Sequence, residues 1–374
     1  MTTSSERPDL AVVGGGIVGL AHAVEAVARG LSVTLIERDD RAVGASVRNF
    51  GHGCVTAQAG VAQAYGERAR GTWLRLGRAA GFWAAETGAV VVARAEEELA
   101  CLTELAEQRG GADVALLSAA QVTDRVPVAA DGLLGGAFLP RDIRVDQRRA
   151  AGAIAAWLAA QPGVRIRWST PVTGIEEGVV HTARGDVEAA RIVVCAGHDL
   201  DRLLPAVTDD AGVQRCELQM LQVRAPGGAV VDPAVLTGTS MLRYPAFAAT
   251  EGARRLRARL SAERPELLES VVNHMFTQLP DGDLVIGDTH AYDRTPGPFD
   301  VASERLDELL LAETAALLGV PHLEVVRRWR GTYASAAGEF LHARVAPGAV
   351  AVTVTSGIGM TTAFGLAPDV LDSL

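Results

Sequence analysis

The chain has 374 residues, of which 48% are apolar and 21% charged, and it carries a formal net charge of -10. That length exceeds one small core and predicts two domains or one with a large insertion, while the composition excludes a disordered chain. The acidic balance argues against nucleic acid as a partner, since that binding rests on neutralising phosphates, and with no run of 18 apolar residues a membrane span is not expected and a cytoplasmic location is.

Residues 10–13 are apolar and partly β-branched, as a buried parallel strand needs, and they run into glycines before a helical pattern resumes over 21–28. Gly14, Gly16 and Gly19 fit the spacing G-x-G-x-x-G. The first permits a tight turn, the second lets a pyrophosphate approach the backbone, and the third lets helix and strand pack closely. A second strand over 32–36 ends at Glu37, where a dinucleotide fold places the acid that accepts hydrogen bonds from a ribose. These features predict dinucleotide binding and leave FAD and a nicotinamide cofactor equally open.

The loop 44–51 is rich in small residues and holds Arg48, which is either a bidentate anion contact or a solvated charge. Residues 62–86 predict an amphipathic helix with Trp73, Leu76 and Trp83 among its apolar positions, 89–93 a strand, and 96–108 a charged surface helix. Further on, 149–160 read as a helix and 164–168, 171–175 and 179–182 as strands. Residues 190–195 form another, running into Ala196 and Gly197 at the kind of strand end where ligands sit in open α/β sheets. From 213 to 288 the pattern turns β-rich, with runs at 217–223, 271–278 and 284–287 that predict an antiparallel sheet. A helix follows over 303–318, and the chain closes on a strand over 349–355, glycines at 357 and 359, and a helix start. That last start offers N–H groups and partial positive charge to a second part of the cofactor.

Two exclusions follow from residue types. All 35 basic residues are arginine, so Schiff-base chemistry through a lysine, pyridoxal phosphate included, is ruled out. The cysteines at 54, 101, 195 and 216 form no C-x-x-C pair, so neither a metal site nor a dithiol redox motif is expected.

Gly14 to Gly19 with Glu37, residues 44–51, Val194-Cys195-Ala196-Gly197, Trp329-Arg330-Gly331 and Gly357-Ile358-Gly359-Met360 together resemble the FAD-dependent amine and amino-acid oxidases of the D-amino acid oxidase superfamily, the glycine oxidase and sarcosine oxidase group. The resemblance implies an α/β chain, α+β overall, with a Rossmann-like FAD domain built from 1–85, 135–210 and 325–374. An interleaved substrate domain with an antiparallel sheet would take 86–134 and 211–324. It implies FAD contacts from Gly14, Gly16, Ile17, Val18, Gly19, Glu37, Arg38, Ala45, Ser46, Arg48, Asn49, Val172, Ala196, Gly197, Gly331, Gly357, Ile358, Gly359, Met360 and Thr361.

Residues 46–51, 80–83, 286–290 and 330–333 resemble a subgroup associated with aminophosphonate breakdown. Two departures from the wider group stand out: Tyr333 occupies about the place of a carboxylate-binding arginine, and no lysine is available to activate oxygen. The activity implied is hydride transfer from a small anionic amine to the flavin, hydrolysis of the imine, and reoxidation by molecular oxygen to give peroxide. His52, Tyr244, His274 and Tyr333 are the catalytic candidates, and Arg243, Gln278 and Arg330 the substrate-binding ones. The alternatives are a glycine, sarcosine or D-amino acid oxidase, a dehydrogenase with another acceptor, and a non-catalytic flavin-binding subunit.

Overall fold

Five parallel strands form one end of the molecule. In the computed structural model, which describes residues 7–297, 299 and 303–374, Leu10–Val13 lies between Val33–Ile36 and Arg191–Val194, with Val164–Arg167 and Ala349–Ser356 outside them. The first two strands are buried at every residue, which explains their unbroken apolar sequence: helices cover one face and the small sheet of residues 172–188, with Leu200, packs on the other, leaving no solvent side for alternation to mark.

The antiparallel part is not a separate sheet. The 22-residue strand Val325–Ala346 pairs along residues 325–335 with Gln214–Val223 and along 335–346 with Ala349–Ser356, joining both halves in one 13-stranded sheet. Leu284–Asp293, Met275–Gln278, Ala234–Leu236, Ala89–Ala93, Gly135–Leu139 and Ala115–Ser118 continue it in that order. Residues 135–139, grouped above with the cofactor segments, pair with 89–93 and 115–118 at the far edge.

Four helices cover one side of the parallel strands: Ile17–Ala28, Gly60–Ala80, Gln147–Ala159 and Gly359–Asp372. Their closeness depends on glycine, because a Cβ on Gly365 would meet the Tyr65 carbonyl oxygen at 2.0 Å. Trp73 fills the middle of this group, edge-on to Phe364 at 4.9 Å and Phe82 at 6.0 Å, and its Nε1 donates to the Met360 carbonyl at 2.7 Å. One buried ring therefore fixes where the last helix begins, and its loss would cost about 3–5 kcal/mol. Trp83 lies outside this helix: Gly81, in the left-handed region at φ +76°, ends it, and Trp83 is 41% exposed. The helix Glu96–Arg109, expected at the surface, buries Cys101, Leu102 and Leu105, because Gly252 admits the helix Glu251–Glu263 to backbone distance. No helix among the described residues is long and apolar enough to cross a membrane.

Candidate active site

A cavity of about 710 Å³ runs from the first glycine turn to the antiparallel strands, within the range of cofactor and ligand sites. Gly14 forms its floor at φ +106°, and a Cβ there would sit 2.3 Å from the Cys195 carbonyl oxygen. The turn thus rests directly on the end of the neighbouring strand. Glu37 stands beside it, its Oε2 accepting from the Gly15 N–H at 2.6 Å and its Oε1 from Asp39 at 2.9 Å. An ionised carboxylate has about four acceptor positions, so ribose contacts remain open to it.

The loop after Glu37 is tied to the first helix by Ser46, whose Oγ accepts from the Ile17 N–H at 2.8 Å. Asn49 holds the loop's shape, donating to the carbonyls of Ala45 at 2.9 Å and Ser46 at 3.0 Å while accepting from the Gly51 N–H at 2.8 Å. Arg48 lines the cavity and donates to the Arg330 carbonyl at 3.2 Å. Farther out, Arg38 pairs with Asp199 at 2.7 Å. Burial works to raise the Asp199 carboxyl, but His198 and the guanidiniums of Arg38 and Arg215 hold it below the usual range.

Two helix starts open on this cavity. Gly16 precedes the helix Ile17–Ala28 and Ile358 precedes Gly359–Asp372; neither of these residues caps its helix with a side chain of its own, although Ser46 already takes the Ile17 N–H at the first. The remaining first-turn N–H groups at both places suit an extended anionic ligand: pyrophosphate at the first, and negative charge developing on a ring system at the second. Gly357, at φ +76°, lies against the Tyr333 ring, which a Cβ at this position would meet at 3.0 Å, and so connects the cofactor end to the antiparallel strands. Val172, Ala196, Gly197, Gly331 and Met360 also line the cavity, as do Ala45 and Val18. These residues fit FAD.

At the far end the centre is Arg243, which follows the short helix start at Gly238 and enters the cavity from the side. Its Nη2 donates to the Tyr333 hydroxyl at 2.7 Å and its Nη1 to the Tyr292 hydroxyl at 3.3 Å. Burial opposes its charge, but Tyr333, Tyr292 and Asp288 around it keep the guanidinium protonated, above its usual range. Tyr244 lines the same wall, its hydroxyl 3.7 Å from the Met275 sulfur, and burial first, then Cys54 and Asp288, raise that phenol well above its ordinary value. Tyr333 is likewise raised by burial, with Arg243 acting in the opposite direction.

Six of the expected site residues lie outside the cavity lining. Gly19 packs helix on strand, since its Cβ would meet the Gly14 carbonyl oxygen at 2.0 Å. Thr361 turns its Oγ1 to the Cys54 N–H at 3.0 Å. His52 is buried with Nε2 2.8 Å from Asp142 Oδ2, while Asp142 Oδ1 accepts from the N–H groups of Val55 at 3.0 Å and Thr56 at 2.8 Å. That carboxylate locks the loop and pulls the imidazole into the wall. With Cys54 these two residues place ligand-type atoms within 4.8 Å of one another, but burial and Asp142 push the Cys54 thiol up, away from the thiolate a metal requires.

Strand geometry explains the other three. Successive residues on an extended segment face opposite sides, so Asn273 faces the cavity and His274 the helix Glu304–Leu318, where its Nε2 meets Thr314 Oγ1 at 2.9 Å. Burial lowers that imidazole to about 4. Gln278 is consumed by the backbone, accepting from the Val231 N–H and donating to the carbonyls of Ala229 and Gly282, each at 2.7 Å. Arg330 pairs in register with Gln219, whose side chain reaches Asp307 of the same outer helix, as does Arg328. That strand reaches the cavity from Gly331 onward, with Tyr333 on its wall, and Arg330 lies just short of it.

The cavity instead presents Asn273, Asp288, His290 and Tyr292. The last three alternate along Leu284–Asp293, a period of two through a mostly buried strand, and that is the signal by which the sequence marks them.

The chain matches the family DAO, described as FAD dependent oxidoreductase, over residues 9–371. Its fold is similar to that of glycine oxidase from Geobacillus kaustophilus, with a TM-score of 0.76 at 22% identity, covering 98% of this chain and 94% of that one. It is similar also to L-proline dehydrogenase from P. horikoshii, at 0.76 and 18%, covering 98% and 93%, and to iminodiacetate oxidase from Chelativorans sp. BNC1, at 0.75 and 19%, covering 96% and 94%. In sequence it is 27% identical over 238 residues to the bifunctional protein ThiO/ThiG of Nostoc sp., covering 58% of this chain and 34% of that protein. The match therefore spans about a third of that relative's length. With the glycine turn, the acid at 37 and the second helix start all on one cavity, the chain belongs to the DAO family of FAD-dependent oxidoreductases.

Proposed function

We propose that this protein oxidises a small amine bearing an anionic group, with Arg243 holding the anion. The supporting observation is the setting of Arg243: a buried guanidinium on the cavity wall whose hydrogen bonds go to two phenols rather than to a carboxylate. A phenol that accepts from a guanidinium keeps its own O–H to donate. Arg243, Tyr292 and Tyr333 thus offer a convergent set of donors with one positive charge. FAD, when bound, supplies the hydride acceptor. The chain's own residues orient the substrate, exclude water with Leu218, Met220 and Tyr244, and direct the N–H groups at 358–360 toward developing negative charge.

The finer reading is an aminophosphonate such as N-methyl-aminoethylphosphonate, with oxygen as acceptor and peroxide as product. Three donor groups suit a three-oxygen phosphonate, and the sequence resemblance puts Tyr333 at about the place expected of a carboxylate-binding arginine. The test is anaerobic mixing of the FAD-loaded protein with N-methyl-aminoethylphosphonate, aminoethylphosphonate, sarcosine, glycine and D-alanine, followed by air. Bleaching of the flavin by a phosphonate, with recovery and peroxide in air, is expected. Bleaching by amino acids alone would move the function to glycine or sarcosine oxidation, and no bleaching by any of them would remove amine oxidation.

A further inference from the structure

The wall facing Arg243 has an unusual hydrogen-bonding character. Asp288 sits where the pairing of Gln214–Val223 with Leu284–Asp293 shifts register between Gln219 and Met220, so the extra residue at this bulge is left without a partner on that strand. Bulges of this kind re-aim a side chain. Asp288 exchanges two backbone hydrogen bonds of 2.8 Å with Asn273, and its Oδ1 accepts from Asn273 Nδ2 at 3.0 Å. That interaction orients Asn273 so that its Oδ1 is a buried acceptor with no partner. His290 has Nδ1 2.8 Å from the Val271 carbonyl, which requires the proton on that nitrogen and leaves Nε2 as a lone-pair acceptor 3.6 Å from Asp288 Oδ2. Burial, with Arg243 second, holds this imidazole well below its usual value and so neutral.

Three acceptor atoms therefore belong to residues of one wall: Asp288 Oδ2 and His290 Nε2, 3.6 Å apart, and the unpartnered Asn273 Oδ1. Such a set is matched by a group with several N–H donors and a positive charge. We infer that this wall receives the ammonium of the substrate, with Asp288 taking one of its protons and Asn273 or His290, or both when the amine is primary, accepting from what remains. This rests on the amine-oxidation reading above and adds the residues that dock the nitrogen. In the proton step an N–H bond breaks with its electron pair left on nitrogen, and an O–H bond forms on Asp288. The free amine is then the form from which FAD, if bound, would take the α-carbon hydride with the electrons of that C–H bond, leaving a cationic imine. Asp288 keeps the proton until product leaves.

The groups facing Asp288 are Arg243 from the adjoining segment, His290 on its own strand, Tyr244, Cys216 and the neutral Asn273. Burial raises its carboxyl to about 7, against the opposing effects of Arg243 and Asn273. A base with that value is matched to neutral pH.

The test uses the FAD-loaded protein and methylammonium chloride as probe, with binding followed by calorimetry at pH 8. Saturable binding that Asp288→Asn weakens about tenfold, the loss expected for a charge-assisted hydrogen bond, supports the wall. Absence of binding to the wild type, or equal binding by the variant at equal FAD content, overturns it. Asn273→Ala keeps the carboxylate and is expected to lose about threefold; should Asp288→Asn fail to retain FAD, unchanged binding by Asn273→Ala overturns the proposal instead. Flavin bleaching scores the underlying reading separately. An amine that bleaches wild type and Asp288→Asn with one pH profile removes the role of Asp288 and leaves amine oxidation standing. Binding that depends on Asp288, with no bleaching by any amine, leaves the wall and removes the oxidation.

Discussion

The two ends of the cavity are built by different means. The cofactor end is made of backbone: glycine turns, helix starts and strand ends, all specified within short stretches of sequence. The substrate end is made of side chains, Arg243, Asn273, Asp288, His290, Tyr292 and Tyr333, brought from four separate segments by the pairing of a sheet. The first kind of site fails when a single Cβ is added, whereas the second loses its function residue by residue. That contrast sets the order of the predictions.

The largest effect is expected at the cofactor end. Gly14→Ala places a Cβ 2.3 Å from the Cys195 carbonyl oxygen at a φ of +106°, and backbone on both sides has nowhere to move. The expected outcome is a protein that retains little FAD by its visible absorbance and loses about 4 kcal/mol or more of stability. Normal FAD content in this variant would show that the turn tolerates a side chain and that the contrast is drawn wrongly.

At the other end Arg243→Met is expected to leave FAD content unchanged while lowering kcat/KM for an anionic amine by about 30- to 1,000-fold, the range for truncating one partner of a buried charged contact. Loss of FAD together with activity would mean the two ends are not separable. Tyr333→Phe sharpens the point, because it removes one hydroxyl at 2.7 Å from Arg243 and keeps the ring against Gly357. A rise in KM of about three- to tenfold is expected, with a smaller change in kcat.

This division also explains what could be read without the structure. Gly14, Glu37 and Gly357 were legible because their spacing fixes their geometry as turn, strand end and helix start, whereas Ser46 was marked only by the family resemblance. Arg243 and Tyr333 were legible as residue types, and the structure brings them together at hydrogen-bond distance. His274 was misplaced by the alternation of an extended chain, Gln278 because its amide is taken up by the backbone at 229, 231 and 282, and Arg330 because its strand reaches the cavity only from Gly331 onward. Which face of a strand meets the cavity depends on register, and register here is set by pairing between segments up to about 120 residues apart and by the shift at Gln219. His52 was misplaced because its partner, Asp142, is 90 residues away in sequence. The continuity of the 13-stranded sheet was illegible too, since Val325–Ala346 carries both of its pairings in one uninterrupted strand.

The smallest predicted effect concerns stability and pH, and it separates Asp288 from its neighbours. Its carboxyl is raised from the usual 3.8 to about 7 in the folded chain. Between those values the folded state holds a proton that the unfolded state has released, so the contribution of Asp288 is greatest below pH 4 and is lost as pH rises toward 7. The buried histidines act oppositely: His274 and His290 are held neutral by burial, so their contribution is lost as pH falls. They are present in wild type and in Asp288→Asn alike and cancel in the difference between the two. The melting temperature of wild type relative to Asp288→Asn should therefore fall between pH 5 and pH 8, by about 2–5 °C, in differential scanning calorimetry of the FAD-loaded proteins. An ammonium probe that pairs with the ionised carboxylate should recover part of that fall at pH 8 through linkage, and in the wild type alone. A difference that stays flat with pH would mean that Asp288 is ionised throughout, matched in the empty cavity by Arg243, and that the substrate end holds a preformed ion pair rather than a waiting base.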